Sequence, residues 1–236
     1  MLEIKSLSVS IKNKRILKNI SCIFKVNKTY LLMGPNGSGK TTFAQTIMGN
    51  PELSVQKGGK IFFGKKDITF AQPEERAQMG IFLSHQSPPS LSGITVFQLL
   101  RVALSGKKDA LSVKNAITKQ AKLLNIPDKM IDRYLNDGSS GGERKKMELL
   151  QAAVLEPKIM LFDEIDTGVD VDAMKTIFRF INTYKRNRTV IFITHNNNIQ
   201  KYILPNEVLI MKNGSIAKKG GADILPIIGK QGFANL

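Results

Sequence analysis

A glycine-rich turn between an apolar strand and a helix constrains this chain more than any other feature. The apolar residues 30–33 lead into Gly34-Pro35-Asn36-Gly37-Ser38-Gly39-Lys40-Thr41-Thr42, and a helical pattern follows over 43–48. Glycines let the backbone turn sharply and direct its N–H groups at phosphate oxygens, and a helix N-terminus adds further donors. This order of strand, turn and helix predicts a phosphate-binding loop, whereas a chance glycine-rich turn would not fill every fixed position.

The side chains of this loop match the chemistry of a nucleoside triphosphate. Lys40 would neutralise the β- and γ-phosphates, Thr41 would offer a hydroxyl to Mg²⁺, and Thr42 would donate to phosphate. We therefore expect the chain to bind a nucleoside triphosphate together with Mg²⁺.

Length and composition indicate an ordinary globular protein. The 236 residues suffice for one domain, or one domain with an inserted lobe, and 42% of them are hydrophobic and 23% charged. No apolar run approaches the ~18 residues of a membrane span, and the first residues do not resemble a secretory signal. The single cysteine precludes an internal disulfide and suits a reducing compartment.

The charge is unusual, with 35 Lys and Arg against 19 Asp and Glu, a formal net charge of +16. A nucleic acid or an anionic membrane would be one partner for such a chain. The basic residues come in scattered pairs, however, such as Lys65-Lys66, Lys107-Lys108, Lys145-Lys146 and Lys218-Lys219. This scatter favours a solvated, lysine-rich surface, and an acidic protein partner remains an alternative.

Strand patterns precede and follow the loop. Residues 2–12 alternate, and Ile20, Cys22, Phe24 and Val26 would line one face of a second strand. Together with a strand over 61–64, they predict a small antiparallel sheet in which Cys22 is a core residue. A short strand over 80–86 ends in Gln86, which is well placed to face a ligand, and residues 96–134 have a helical pattern that predicts an inserted lobe.

Two further segments carry polar groups at the ends of predicted elements. Residues 136–143 open a helix that continues to about residue 155, so Ser140, Gly141 and Gly142 form either a second anion site or a plain helix cap. The apolar strand over 159–164 ends in Asp163 and Glu164, and the strand over 189–194 is followed by His195.

Adjacent carboxylates after a buried strand are either surface charges or parts of a phosphate-transfer site. With this loop upstream, Asp163 would hold Mg²⁺ and Glu164 would polarise an attacking water. His195 would reach the γ-phosphate if its strand runs parallel to the strand that carries Asp163, although a lone histidine is more often structural.

The order of these motifs resembles that of the ATP-binding cassette (ABC) ATPases over essentially the whole chain. The resemblance implies an α/β fold with a RecA-like P-loop core, an N-terminal antiparallel β subdomain and an inserted α-helical subdomain. We expect residues 1–87 to form the β subdomain and the P-loop part of the core, 88–150 the helical subdomain, and 151–236 the remainder.

The resemblance also assigns roles to residues. Asp163 belongs to the Walker B strand, and the expected Mg²⁺ ligands are Thr41, Gln86 and Asp163. Ser140, Gly141 and Gly142 would clamp the γ-phosphate of an ATP bound to a second copy in a head-to-tail dimer. Residues 167–170 match the D-loop, His195 the switch histidine, and the expected catalytic residues are Lys40, Glu164 and His195.

Within the ABC ATPases, the chain looks like the SufC family of the SUF iron–sulfur cluster assembly machinery. The similarity lies in residues 143–151, where transporter cassettes usually read differently, and in residues 47–51, 73–77, 80–83, 155–158, 163–170 and 218–221. It implies an ATPase that changes the shape of SufB- and SufD-like scaffold proteins bound around residues 86–105. The compartment would be the cytoplasm or the stroma of a plastid-type organelle.

The chain differs from the family pattern at two positions, and two alternative functions stay open. Ser139 stands where Leu or Phe is usual, and the position that often stacks an aromatic ring on adenine falls near Ile11, which predicts weak base selectivity. The alternatives are the ATP-binding subunit of a membrane transporter and a nucleic-acid-acting cassette. The second is disfavoured because the chain has a single P-loop and no long inserted domain.

Overall fold

The N-terminal part of the chain forms an antiparallel sheet in the computed structural model, which describes residues 1–84, 86, 88 and 90–233. Its strands are β1 (Leu2–Ile11), β2 (Lys14–Phe24), β4 (Leu53–Val55), β5 (Lys60–Phe63) and β6 (Lys66–Asp67), in the order β2-β1-β5-β6 with β4 paired to β1. The predicted sheet is confirmed. Val26 was expected on the inner face of β2, but it lies beyond the strand and is 55% exposed, so that prediction is wrong.

A second sheet of six strands carries the glycine-rich turn. Its order is β13-β12-β3-β11-β10-β7, built from β3 (Thr29–Met33), β7 (Ile81–Ser84), β10 (Ile159–Asp163), β11 (Thr189–Thr194), β12 (Glu207–Lys212) and β13 (Ser215–Gly220). All neighbours are parallel except the β12–β13 hairpin. Every residue of β3, β10 and β11 is buried, as expected for parallel strands covered on both faces.

Helices cover this sheet and form the inserted lobe. They are α1 (Lys40–Met48), α2 (Pro73–Met79), α3 (Val96–Ala103), α4 (Ala110–Leu123), α5 (Asp128–Ile131), α6 (Gly141–Leu155), α7 (Val171–Tyr184) and α8 (Leu225–Gln231), with 3-10 turns at Asn197–Lys201 and Ala222–Ile224. The predicted helical pattern over 96–134 corresponds to α3, α4 and α5. Tyr134 is not helical, because it belongs to a short strand β9 (Tyr134–Leu135) that pairs with β8 (Leu91–Thr95).

Alternate residues of the central strands enter two different cores. Leu31, Phe162 and Phe192 face the helical lobe, α6 and α7, whereas Leu32 and Leu161 face α1 and the antiparallel sheet. Cys22 lies in the second core, where burial raises the pKa of its thiol to about 12. Its predicted role as a core residue is confirmed.

Two predicted element boundaries differ from the structure. The helix expected over 43–48 already begins at Lys40, and the strand expected over 159–164 ends at Asp163. The division of the chain at 87/88 and 150/151 stays a prediction, and α6 spans the second of these points. Among the described residues, no helix combines the length and apolar character that a bilayer crossing requires.

Candidate nucleotide-binding and hydrolysis site

The P-loop turns tightly between β3 and α1 because its glycines admit close neighbours. A Cβ on Gly34 would lie 2.2 Å from the carbonyl oxygen of Met211 on β12, a distance that no side chain tolerates. Gly39 caps α1 in the left-handed region, with φ of 100°. The loop is therefore pressed against β12 on one side while its other side remains open.

The side chain of Lys40 folds back onto the P-loop. It is buried, and Nζ donates to the carbonyl oxygens of Gly34 at 2.9 Å and Pro35 at 3.0 Å. Burial lowers the pKa of the ammonium, and the charges of Glu164 and Asp163 oppose that change. The P-loop carbonyl oxygens thus fix the ammonium group of Lys40 at a position where it can pair with a phosphate.

Asp163 is a buried carboxylate at the end of β10. It is 3% exposed, and burial raises its pKa while the neighbouring Thr41 side chain opposes that change. Its Oδ1 atom is buried and has no hydrogen-bond partner among the described residues. An orphaned carboxylate oxygen beside a hydroxyl is the set of hard oxygen donors that Mg²⁺ prefers, so these two residues fit the predicted metal.

Glu164 follows the strand with a left-handed backbone. Its φ is 50°, and its N–H donates to the carbonyl oxygen of Ile193 on β11 at 2.9 Å. The two carboxylate oxygens have separate partners: Oε2 accepts from Nε2 of Gln86 at 2.5 Å, and Oε1 lies 3.0 Å from Nδ1 of His195. The turn after β10 therefore directs this carboxylate towards two other predicted site residues.

All of these groups except Asp163 line one cavity of about 420 Å³ beside the P-loop. It is lined by Ile16, Asn36, Gly37, Gly39, Lys40, Thr41, Thr42, Gln86, Glu164 and His195. Gln86 also lines a neighbouring cavity with Thr41 and Asp163. The structure thus brings the predicted loop, the predicted carboxylates, the glutamine and the histidine to one place.

Ser140, Gly141 and Gly142, which we call the signature residues and whose turn we call the signature turn, lie outside this cavity. The Ser140 hydroxyl accepts from the N–H of Glu143 at 3.3 Å, and the Glu143 carboxylate accepts from the N–H of Ser140 at 2.8 Å, which caps α6. A Cβ on Gly141 would lie 2.5 Å from the carbonyl oxygen of Gly168 in the predicted D-loop. None of Ser140, Gly141 and Gly142 is among the residues that line the P-loop cavity.

Three parts of the site were not expected from the sequence. The first is Ile16 on β2, which lines the cavity, whereas Ile11 does not. The expectation that the adenine-facing position falls near Ile11 stays a prediction, and Ile16 reaches the cavity because the β1–β2 hairpin returns the chain to it five residues later. Strand register was the missing information.

The second is the β12–β13 hairpin, which supports the P-loop from behind. The N–H of Gly214 donates to the carbonyl oxygen of Ser38 at 3.0 Å, and its own carbonyl oxygen accepts from the N–H of Lys18 at 2.8 Å. Gly214 has φ of 81°, and a Cβ there would lie 2.0 Å from the carbonyl oxygen of Ile16. The Asn213-Gly214 pair is a typical hairpin turn signal that could have located this element.

The third is Lys145, which was counted among the solvated basic pairs but is 3% exposed. Its Nζ donates to the backbone carbonyl oxygen of Gln86 at 3.1 Å and lies 3.8 Å from Oε2 of Glu148. Burial lowers its pKa. This lysine therefore connects α6 to the segment that carries Gln86.

Comparison with known proteins identifies the family. The ABC transporter family model matches residues 17–167. The chain belongs to the ABC transporter ATPases. It is a P-loop NTPase that hydrolyses ATP, and its α/β fold is the ABC nucleotide-binding fold that the sequence predicted.

Similar proteins span nearly the whole chain. A probable ABC transporter ATP-binding protein of Streptococcus pyogenes serotype M18 is 39% identical over 243 residues, covering 100% of this chain and 94% of the relative. A probable ATP-dependent transporter, ycf16, of Pyropia yezoensis is 37% identical over 242 residues, covering 99% and 96%. The dimeric structure of a bacterial ABC transporter cassette has a similar fold, with a TM-score of 0.81 at 18% identity over 94% of this chain and 98% of the cassette. That cassette is dimeric in its solved structure.

Proposed function

We propose that this chain is the ATPase subunit of a SUF-type iron–sulfur cluster assembly machinery. In this proposal, two copies close head to tail on ATP and change the shape of SufB- and SufD-like scaffold proteins. The observation that carries it is the segment over 143–151, which resembles the SufC family and departs from transporter cassettes. The buried Lys145 of this segment contacts the backbone of Gln86, so the departure lies beside the ATP site.

The hydrolytic roles follow from the cavity beside the P-loop. Lys40 and the N–H groups of residues 34–42 would stabilise the charge of the phosphates. Glu164 would orient and activate the attacking water, and His195 would contact the γ-phosphate. Thr41, Asp163 and Gln86 would hold Mg²⁺, which would neutralise developing charge on the phosphate oxygens.

A second copy would supply the signature residues. Ser140 is exposed at the N-terminus of α6, where backbone N–H groups point outward and the helix dipole favours an anion. Since these residues do not line the P-loop cavity of their own chain, the γ-phosphate would contact them only across a head-to-tail interface.

Scaffold proteins would bind around residues 86–105. The described part of this region exposes apolar side chains, Val102 on α3 at 76% and Ile94 on β8 at 40%. Such residues suit burial against a protein partner. The cluster itself would lie on the scaffold, because one buried cysteine cannot provide a ligand set. The compartment would be the cytoplasm or a plastid-type stroma.

The second candidate function is the ATP-binding subunit of a membrane transporter. The names of the Streptococcus and Pyropia relatives favour it, since both describe transporters. The site chemistry would be the same, but the partner would be a permease. A nucleic-acid partner is disfavoured, and the absence of a gel shift at low salt would dismiss it.

The deciding experiment is mass spectrometry of the proteins that co-purify with this chain from its native cells under mild, low-oxygen conditions. SufB- and SufD-like proteins are expected. A polytopic membrane protein would instead support the transporter. As a further test, Val102→Asp should abolish co-purification of the scaffold while ATP binding by the isolated chain is unchanged, because Val102 is exposed and does not line the P-loop cavity.

A further inference from the structure

A second cavity, away from the nucleotide site, lies between the helical lobe and the core. Its volume is about 320 Å³, within the range of small-ligand pockets. It is lined by Gln120, Leu123, Asn125, Thr176, Arg179, Phe180, Thr183, Tyr184, Arg186 and Arg188, from α4, α7 and the segments that follow them. It shares no lining residue with the P-loop cavity.

The cationic residues of this cavity are arginines only. The chain contains 27 lysines and eight arginines, yet three of the eight line this cavity and no lysine does. The lining also contains no Asp or Glu. A merely basic surface would display mainly lysine here, whereas arginine is preferred where a carboxylate or phosphate is bound through paired hydrogen bonds.

One arginine is fixed in the floor of the cavity. The guanidinium carbon of Arg188 lies 4.0 Å from the centre of the Tyr184 ring, and its Nη1 donates to the backbone carbonyl oxygens of Tyr184 at 3.0 Å and Arg186 at 3.2 Å. The Tyr184 hydroxyl donates to the carbonyl oxygen of Ala153 at 2.8 Å, and its ring stacks on Phe180 with centroids 5.5 Å apart. These contacts fix the side chains of Arg188 and Tyr184, which line the cavity together with Phe180.

The other two arginines are available to a ligand. Arg179 and Arg186 are exposed, and neither has a carboxylate within 4.0 Å in the described part of the chain. Leu123 adds an apolar wall from α4 and is 58% exposed. Beneath them, Nε of Arg188 and Oε1 of Gln120 are buried and have no hydrogen-bond partner among the described residues.

We propose that this cavity, which we call the arginine pocket, binds a small organic anion: a carboxylate or phosphate group on a flat apolar body. Arg179 and Arg186 would bind the oxyanion through their paired N–H groups. The apolar body would lie against Phe180, Tyr184 and Leu123. A ligand held in this way touches α4 of the lobe and α7 of the core at the same time.

The test uses two fluorescent probes, 2-naphthoate and 1-naphthyl phosphate, with the P-loop filled by saturating ADP and Mg²⁺. We expect saturable binding of at least one probe at one site per chain, and the tighter probe identifies the oxyanion. The double variant Arg179→Gln, Arg186→Gln should bind the probe about tenfold more weakly or worse, because hydrogen bonds to charged groups are lost. Arg188 is left intact since it stacks on the core.

Two controls separate an arginine site from general charge. Lys65→Gln with Lys66→Gln removes the same charge from the exposed β5–β6 turn and should leave probe affinity unchanged. Arg179→Lys with Arg186→Lys keeps the charge but not the planar fork, so it should restore only part of the affinity. Acetate and inorganic phosphate, which lack the apolar body, should compete poorly.

Three results would overturn the proposal. One is a probe affinity of the Arg179→Gln, Arg186→Gln double variant that equals that of the wild-type chain. Another is equal weakening by the Lys65, Lys66 control, which would indicate net charge alone. The third is the failure of both probes to bind at all.

Discussion

The P-loop cavity and the signature turn differ in how their polar groups are satisfied. At the P-loop cavity, burial lowers the pKa of Lys40 and raises that of Asp163, and Oδ1 of Asp163 lacks a hydrogen-bond partner among the described residues. At the signature turn, Ser140 and Glu143 satisfy one another, and hydrogen bonds from Ser140 lower the pKa of the Glu143 carboxylate. The site at the P-loop cavity thus contains a buried carboxylate oxygen without a partner among the described residues, whereas Ser140 and Glu143 of the exposed signature turn are paired with each other. Two unequal halves of this kind suit a site that closes only between two copies.

The largest expected effect comes from inactivating each half in a different copy. Lys40→Ala removes the phosphate cation, and Ser140→Asp keeps a good helix cap but places a negative charge against the phosphate. Each variant alone should be inactive. An equimolar mixture should regain about a quarter of wild-type phosphate release, because half of the dimers would contain one intact site of two. Full activity of Ser140→Asp alone would show that the signature turn does not act in hydrolysis.

A second prediction concerns the carboxylate that lies between Gln86 and His195. Glu164→Gln should lower ATP hydrolysis by about 10²–10⁴-fold and leave ATP binding intact, since only the general base is lost. ATP-dependent dimers should then accumulate in gel filtration. Glu74→Gln, on the exposed face of α2, is the matched control and should hydrolyse ATP normally. Unchanged hydrolysis by Glu164→Gln would remove Glu164 from this role.

A third prediction uses the buried Asp163. Because the pKa of Asp163 is raised in the folded chain, its carboxyl group binds a proton more tightly there than in the unfolded chain. The contribution of this proton to the free energy of unfolding is therefore present at low pH and is lost as pH rises through the raised pKa. Asp163→Asn should therefore raise Tm without nucleotide at pH 7, on the order of 2 °C, while abolishing ATP hydrolysis. The gain should shrink on acidification towards the ordinary aspartate pKa. A lower Tm at pH 7 would contradict the inferred cost of the buried charge.

The smallest expected effect tests the hairpin behind the P-loop. Gly214→Ala should weaken ATP binding by about fivefold, because a Cβ 2.0 Å from the Ile16 carbonyl oxygen forces the hairpin away from Ser38. Gly64→Ala is the matched control. Gly64 also has a left-handed backbone, with φ of 64°, but a Cβ there meets nothing within 4 Å. Both variants should lose stability, and equal ATP affinity in the two would refute a positioning role for Gly214.

Local patterns predicted much of the fold and of the site. The P-loop, Asp163 and Glu164 were found because glycine spacing and an apolar strand with terminal carboxylates are signals within a few residues of sequence. Local patterns also indicated Gln86 at a strand end and Ser140, Gly141 and Gly142 at a helix start, and the family resemblance assigned roles to them. Contacts between distant segments were not predictable in this way. The buried position of Lys145 depends on the packing of α6 against the segment of Gln86, and nothing in its own neighbourhood distinguishes it from an exposed lysine.

Strand register explains the other differences. Ile16, not Ile11, reaches the cavity because of where β1 turns back into β2, and Val26 falls outside the strand because β2 ends at Phe24. The relation of the strands β12 and β13 to the P-loop arises only when the six-stranded sheet is assembled. Alternation along a strand predicts which residues share a face, but not which distant strand lies beside it.

The β12–β13 hairpin has a consequence for how the chain becomes competent during synthesis. Strand β3 and the P-loop are made within the first 42 residues, but β12, which pairs with β3 and abuts Gly34, begins only at Glu207. Closing a loop of this length must precede any contact between them. Until residue 214 leaves the ribosome, the growing chain therefore contains the P-loop sequence without the β12–β13 hairpin that packs behind it. Tight ATP binding would then be acquired only after residue 214 has left the ribosome, when the whole helical lobe has already been synthesised.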